Sequence, residues 1–242
     1  MFCGLGGLNL ILSLVVWFKF KKLLFLGLAN IVIIYFILIW FRDINRESIF
    51  QGKHRFIVER GFQIGIILFI FREVMFFVSF FWTFFHRSLT PSIEIGICWP
   101  PFSIEGIRPF EVPLLNTLIL LRSGVRVTWR HYLILQNKNR SLRLFITLLL
   151  GIYFTLLQKI EYAESSFSFS DSVFGRVFFI ATGFHGLHVI IGSILLFYSL
   201  MRILSYHFSL LNPIGFELSI WYWHFVDVVW LFLFSFIYWW GY

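Results

Sequence analysis

Charge is scarce in this sequence. Only 13% of its 242 residues are Asp, Glu, Lys or Arg, whereas 59% are hydrophobic and the mean hydropathy is +0.84. A water-soluble domain of this size has no interior large enough to hide that much apolar surface, so a soluble fold is excluded and the solvent is lipid. Apolar–polar alternation of period two is missing, which disfavours a β-barrel. A chain in hydrocarbon must satisfy its own backbone, and a bundle of helices is what remains. Cysteine is almost absent: Cys3 and Cys98 lie far apart and share no metal-type spacing, so neither a disulfide framework nor a zinc site is indicated. No basic residue precedes the apolar run MFCGLGGLNLILSLVVWF, which is therefore expected to be a retained first helix and not a cleaved signal peptide. There is no soluble domain, no low-complexity tract and no internal repeat strong enough to argue an inverted-repeat transporter.

What is present is a succession of long apolar runs. A hydrocarbon core takes about 20 residues of helix, and that ruler marks seven segments: 1–18, 23–41, 61–86, 112–136, 141–163, 172–205 and 216–240. The first is short, and the sixth is long enough to tilt or to project from the membrane. The fold class is all-α, a polytopic seven-helix transmembrane bundle. The connection RDINRESIFQGKHRFIVER carries Arg42, Arg46, Lys53, Arg55 and Arg60, and a second basic connection follows at 137–143. The excess of positive charge places both on the inner side of the membrane, and an odd number of helices puts the termini on opposite faces. The connection 87–111 holds Pro91, Pro100, Pro101 and Pro109 and is expected to be an ordered, non-helical crossover. Trp17, Trp40, Trp99, Trp129, Trp239 and Trp240 fall near predicted helix ends, where interfacial belts form. The 34 phenylalanines suit lipid-facing surfaces and also an A+T-rich, organellar coding sequence.

Few residues in the runs can carry chemistry. ATGFHGLHVIIG sets His185 and His188 three apart on one face of the sixth helix, and WYWHFVDVVW does the same for His224 and Asp227 on the seventh. Glu161 closes the fifth. Imidazoles and carboxylates turned into a bundle can hold haem or a di-metal centre; equally, they can hydrogen-bond one another and pin neighbouring helices. A Glu-x-x-His pair on each of two helices would favour the first reading, and the sequence has none. Gly183, Gly186, Gly192 and Ser193 are small enough to let helix backbones approach closely. In IGIILFIFREVMFFVSFFW, Arg72 and Glu73 stand near mid-span. A carboxyl at that depth is costly unless neutral or partnered, so Glu73 is either a functional group or a protonated acid bonded to the backbone.

The blocks WFRDINRESIFQGKH, REVMFFVSFFWTFFH, WPPFSIEGIRPFEVPLLNT, SGVRVTWRH, GIYFTLLQKIEY, ATGFHGLHVIIGS and WYWHFVDVVWLFLFSFIYWWG, in that order from about Trp17 to the C-terminus, resemble subunit III of mitochondrial cytochrome c oxidase. The resemblance implies one membrane domain over 1–242, with a two-helix unit (1–41) and a five-helix unit (61–242) around a lipid-filled, V-shaped cleft. It implies a non-catalytic core subunit of respiratory complex IV in the mitochondrial inner membrane. Such a subunit supports subunit I, also meets subunit II and accessory subunits, and helps to sustain oxygen reduction coupled to proton pumping. Haem and copper are then expected in the partner subunits, with no metal in this chain, whose only expected ligands are structural phospholipids. Under this reading Glu161, His185, His188, His224 and Asp227 are structural polar contacts between helices. The resemblance places the family's membrane-embedded, carbodiimide-reactive carboxyl at Glu73 and its lipid-headgroup contacts at Glu47, His54, Arg202 and His207. Arg and His near an inner interface suit lipid phosphate. No nucleic-acid partner is implied. Two departures stand out: the N-terminus is shorter than is usual in the family, and LLNPIGFE has Asn212 and Pro213 where a His pair is common. Two alternatives share these features, a proton-conducting channel or transporter that relays through Glu73, and subunit III of a quinol oxidase.

The same comparison sets six arginines apart. Arg72, Arg87 and Arg176 stand where the family commonly has Ser, and Arg122, Arg126 and Arg130 stand where small residues are usual. The last three are spaced by four, so they form one stripe down the fourth helix, and each Arg at a helix centre costs about 2.5–3.5 kcal/mol. One decoding covers all six: many animal mitochondria read AGA and AGG as Ser. Decoded so, the net charge falls from +8 to +2, and the low count of three methionines fits the same shift of code.

Overall fold

A computed structural model describes residues 2–93, 96–102, 104–135, 142–205 and 214–242. The described residues form seven α-helices and no strand: α1 (Phe2–Phe20), α2 (Leu23–Ile49), α3 (Phe56–Leu89), α4 (Val112–Leu135), α5 (Leu142–Glu164), α6 (Ser172–Leu204) and α7 (Ile214–Leu233). A π-helical turn, Phe234–Trp239, continues α7. Five helices are long and apolar enough to cross a membrane, namely α2, α3, α5, α6 and α7 with its π turn. The shorter α1 and the 24-residue α4, which carries Arg122, Arg126 and Arg130, are not among them. At about 1.5 Å per residue, α3 and α6 run to about 50 Å and outreach a hydrocarbon core of about 30 Å. Excess length of that kind is accommodated by tilt or by projection beyond the lipid.

The chain divides into two compact units, Met1–Gly61 and Phe62–Tyr242. In the first, α1 and α2 form a hairpin whose reversal is made by Lys21, in the left-handed region at φ 55°, and the extended Lys22. Gly6 lets the two backbones approach, since a Cβ there would lie 3.0 Å from the Phe36 ring. Most other side chains of the hairpin are exposed, and Leu24, Ile31 and Leu38 are each more than 60% exposed. Water does not tolerate such a surface; acyl chains do. The sequence expectation ended the second helix at 41, whereas α2 continues to Ile49 through RDINRES. The apolar ruler measures the membrane and not the helix, and Arg, Glu and Asn extend a helix in the aqueous phase with no need of lipid.

The second unit contains the core. Trp223 and Trp230 of α7 are wholly buried, among Phe154, Phe178 and Phe216. Glycines make room for Trp223: a Cβ at Gly151 would fall 2.9 Å from its ring, and one at Gly192 would fall 3.0 Å from it. Both indoles also have polar partners, as buried indoles usually do. Trp223 Nε1 donates to Ser123 Oγ at 2.8 Å and Trp230 Nε1 to Thr117 Oγ1 at 3.0 Å, which ties α7 to α4. In the connection between α3 and α4, Trp99 packs edge-on against Phe84 and Phe174, and Pro101 and Ile104 are buried. Exposed Arg108 pairs with Glu111 at 3.1 Å, and that hydrogen bond raises the guanidinium's pKa above its ordinary value.

Candidate functional site

Several polar groups of the five-helix unit lie at helix–helix contacts. Glu73 sits midway along α3, with its side chain 14% exposed. Its Oε1 accepts from Arg72 Nη2 at 2.5 Å, and Arg72 also lies over the Phe69 ring. Its Oε2 faces His188 Nε2 on α6 at 3.2 Å, while His188 Nδ1 lies 2.6 Å from the Phe184 carbonyl. A carbonyl can only accept, so Nδ1 carries the proton there. The Glu73–His188 contact then holds one more proton, in either of two forms: imidazolium with carboxylate, or imidazole with carboxylic acid.

His185 is fully buried one turn earlier on α6. Its Nε2 donates to the Val226 carbonyl of α7 at 3.1 Å, and its ring lies between Phe154 and Trp230. Glu161, 4% exposed near the end of α5, accepts from the Tyr238 hydroxyl through Oε1 at 2.5 Å. The π turn delivers that hydroxyl; insertions of this kind recur where a helix must re-aim a side chain. Between α5 and α6, Gln158 Nε2 donates to the Thr182 carbonyl at 3.0 Å, and the Tyr162 hydroxyl donates to Thr182 Oγ1 at 2.6 Å. Thr182 passes its own proton to the Phe178 carbonyl. His224 Nε2 lies 3.0 Å from Thr128 Oγ1 of α4, and its Nδ1 lies 3.7 Å from Asp227 Oδ2. His131 of α4 meets Glu217 of α7 at 3.2 Å.

The structure thus brings His188 to Glu73 and His224 to Asp227, and it sends His185 and Glu161 to separate partners. Among the described residues, no three His, Cys, Asp or Glu side chains converge as metal ligands would. Sequence reasoning missed His131–Glu217, Tyr238–Glu161, Gln158–Thr182 and the two indole bonds. Spacing along one helix says nothing about which residue of another helix stands opposite. A Tyr or Thr in an apolar run gives no periodic signal either.

Of the four lipid-headgroup candidates, Glu47 is exposed near the end of α2 and His54 is half-buried in the connection to α3, both in the first unit. Asp43, Arg46, Glu47, Phe50 and Gln51 line an open cavity of about 420 Å³ there. Arg202 is half-buried in the last turn of α6, in the second unit. His207 lies outside the described residues, as do Asn212 and Pro213. Of the six arginines set apart by the sequence comparison, Arg72, Arg87, Arg122 and Arg176 are exposed, Arg126 is half-buried and Arg130 is buried.

Known proteins match this sequence over nearly its whole length. The family described as cytochrome c oxidase subunit III matches residues 1–242. Proteins named cytochrome c oxidase subunit 3 from Equus asinus and Paracentrotus lividus are 54% and 53% identical over 240 residues, which is 98% of this chain and 92% of each relative. The protein of that name from Drosophila melanogaster is 51% identical over the same length and coverage. A match of that extent, on a polytopic all-helical fold, places this chain in the cytochrome c oxidase subunit III family.

Proposed function

We propose that this chain is a non-catalytic core subunit of mitochondrial cytochrome c oxidase in the inner membrane. In this reading it braces subunit I, contacts subunit II and accessory subunits, holds structural phospholipids, and thereby sustains proton-coupled oxygen reduction whose haem and copper reside in the partners. The whole-chain family match is the observation that carries it. The interior geometry is consistent with the role: His185 and His188 each bond a backbone carbonyl or a carboxyl of a neighbouring helix, which is how buried imidazoles brace a bundle. Glu47, His54, Arg202 and His207 are the candidate headgroup contacts.

Affinity purification of the chain from its own membranes tests the reading. It should bring down a partner with haem absorption, together with phospholipid that survives detergent exchange. A chain recovered without any haem-bearing partner would refute it. The contact between Glu73 and His188, two ionisable groups on neighbouring helices, favours one second reading, a path for protons through this unit. Reconstituted into vesicles by itself, the chain should give no proton flux above that of empty vesicles; flux abolished by Glu73→Gln would favour the channel.

A further inference from the structure

The tip of the α1–α2 hairpin gathers three cations with no acidic residue near them in the sequence. Lys19 lies in the last turn of α1, Lys21 makes the reversal and Lys22 precedes α2, and all three are exposed. The chain holds no Asp or Glu before Asp43. That carboxylate lies about 30 Å further along α2 at 1.5 Å per residue, where it pairs with Arg42. Among the described residues no carboxylate stands at ion-pair distance from any of the three lysines. The side of the membrane sharpens the imbalance. The basic connection 42–60 marks the inner side, and α2 spans from there to Lys22, so the tip lies at the outer surface. Short loops on that side are ordinarily poor in lysine.

Beneath the tip, the two helices leave a cavity of about 290 Å³. Leu12 and Val16 on α1 and Phe25, Leu28 and Val32 on α2 line it. Ser13, which also lines it, is buried, and its hydroxyl already donates to the Leu10 carbonyl at 2.7 Å. Asn9 lies at the deep end. Measured along α2 from Lys22, Phe25 is about 5 Å away and Val32 about 15 Å away. The cavity therefore starts just below the cations and ends at about the depth of one leaflet of a hydrocarbon core of about 30 Å. A transmembrane helix would need a groove through both leaflets, whereas an acyl chain needs one. A free anion would meet the cations but gains nothing from the apolar lining. A molecule with a phosphate above and hydrocarbon below uses both. Trp17, whose ring lies 6.0 Å from Lys21 Nζ, fits the headgroup level at which interfacial indoles sit.

We propose that the hairpin holds one anionic phospholipid of the outer leaflet, with its phosphate among Lys19, Lys21 and Lys22 and one acyl chain in the cavity between α1 and α2. Lysine ammonium groups meet phosphate as mobile point charges, so three on one short turn surround it without a fixed geometry. This site is distinct from the inner-side headgroup candidates, and it is built within the first unit alone. It rests on the membrane placement used in the function proposed above and adds to it a lipid at the opposite surface.

The assembled oxidase in phosphatidylcholine vesicles tests it, with a trace of phosphatidylglycerol that carries a diazirine on one acyl chain. Photolysis should label residues within 9–32. Unlabelled phosphatidylglycerol should displace the probe; added phosphatidylcholine, or inorganic phosphate at matched ionic strength, should not. Each Lys→Gln change at 19, 21 and 22 should weaken labelling about fivefold, and all three together about a hundredfold, the scale of a lysine near an anionic membrane surface. Lys→Arg at the three positions should keep most of the labelling. Leu28→Trp, which fills the cavity from an exposed position, should lower it more than tenfold with the lysines intact. Labelling unchanged by the triple Gln variant, equal displacement by phosphatidylcholine, or displacement by inorganic phosphate would each overturn the proposal. So would capture of an acidic protein segment in place of phosphatidylglycerol by a benzophenone side chain at position 20. If the haem-bearing partner co-purifies in those cases, the proposed function stands and the lipid site alone falls. If labelling persists on a chain recovered without that partner, the site stands and the proposed function falls.

Discussion

Adding one methyl group at Gly151 puts two opposing effects on a numerical scale. In an open helical position, Gly→Ala gains about 1 kcal/mol, because alanine loses less backbone freedom. Gly151 is not open: the new Cβ would meet Ser193 Oγ at 2.8 Å and Trp223 Cη2 at 2.9 Å, both inside normal contact distance. The indole cannot retreat easily, since the Gly192 backbone packs so close that an added Cβ there would fall 3.0 Å from the same ring, and its Nε1 is tied to Ser123. Overpacking of this kind costs typically about 1–3 kcal/mol. The steric cost is at least as large as the propensity gain, so Gly151→Ala should lower stability by about 1 kcal/mol on balance. Gly27→Ala, where nothing lies within 4 Å, should be neutral or stabilising. Denaturant titration of the purified chain in detergent, followed by tryptophan fluorescence, measures both. In a Trp223→Phe background Gly151→Ala should cost less than in the unaltered chain, because the smaller ring vacates the contact. A Gly151→Ala chain as stable as the unaltered one, with the indole environment unchanged, would refute the clasp around Trp223.

Tyr238→Phe removes the donor to Glu161 Oε1 from a carboxyl whose Oε2 has no partner among the described residues; the loss should be about 1–3 kcal/mol, with part of it recovered by Glu161→Leu in the same chain. Glu73→Gln keeps an amide that can pair with His188 Nε2 and should leave thermal stability within about 0.5 kcal/mol, whereas Glu73→Leu strands that nitrogen and should cost about 1–3 kcal/mol. Trypsin digestion and mass spectrometry of the natural polypeptide test the decoding of the six arginines. Arg122 and Arg126 lie one turn apart with no carboxylate at ion-pair distance among the described residues, and serine at both removes that strain. No cleavage is expected after positions 72 or 126, and a fragment ending at either would refute the serine reading there.

Helix number and approximate position were readable from hydropathy alone, because a membrane imposes a fixed apolar length. The predicted run 172–205 and the observed Ser172–Leu204 differ by one residue. Predicted ends drifted where polar residues extend a helix past the lipid, as at Arg42–Ile49. Glu73, His188, His224 and Asp227 could be singled out by their chemistry, since charge in an apolar run is conspicuous. Their partners could not, because pairing depends on how helices rotate against one another. That rotation is set by Gly124, Gly151 and Gly192 meeting Asp227 and Trp223, and glycine in a membrane helix is too common to flag such a contact.

The turn Phe234–Trp239 makes the end of the chain sensitive to length as well as to composition. A π turn accommodates one residue more than an α turn would. Deleting one residue ahead of Tyr238 would let the segment wind back to ordinary α geometry, and because the π turn had absorbed that residue in its wider circuit, Tyr238 would stay on nearly the same face. A one-codon deletion there should therefore spare the Glu161 contact, whereas a one-codon insertion, with no further turn to absorb it, would swing the hydroxyl away by roughly 100°.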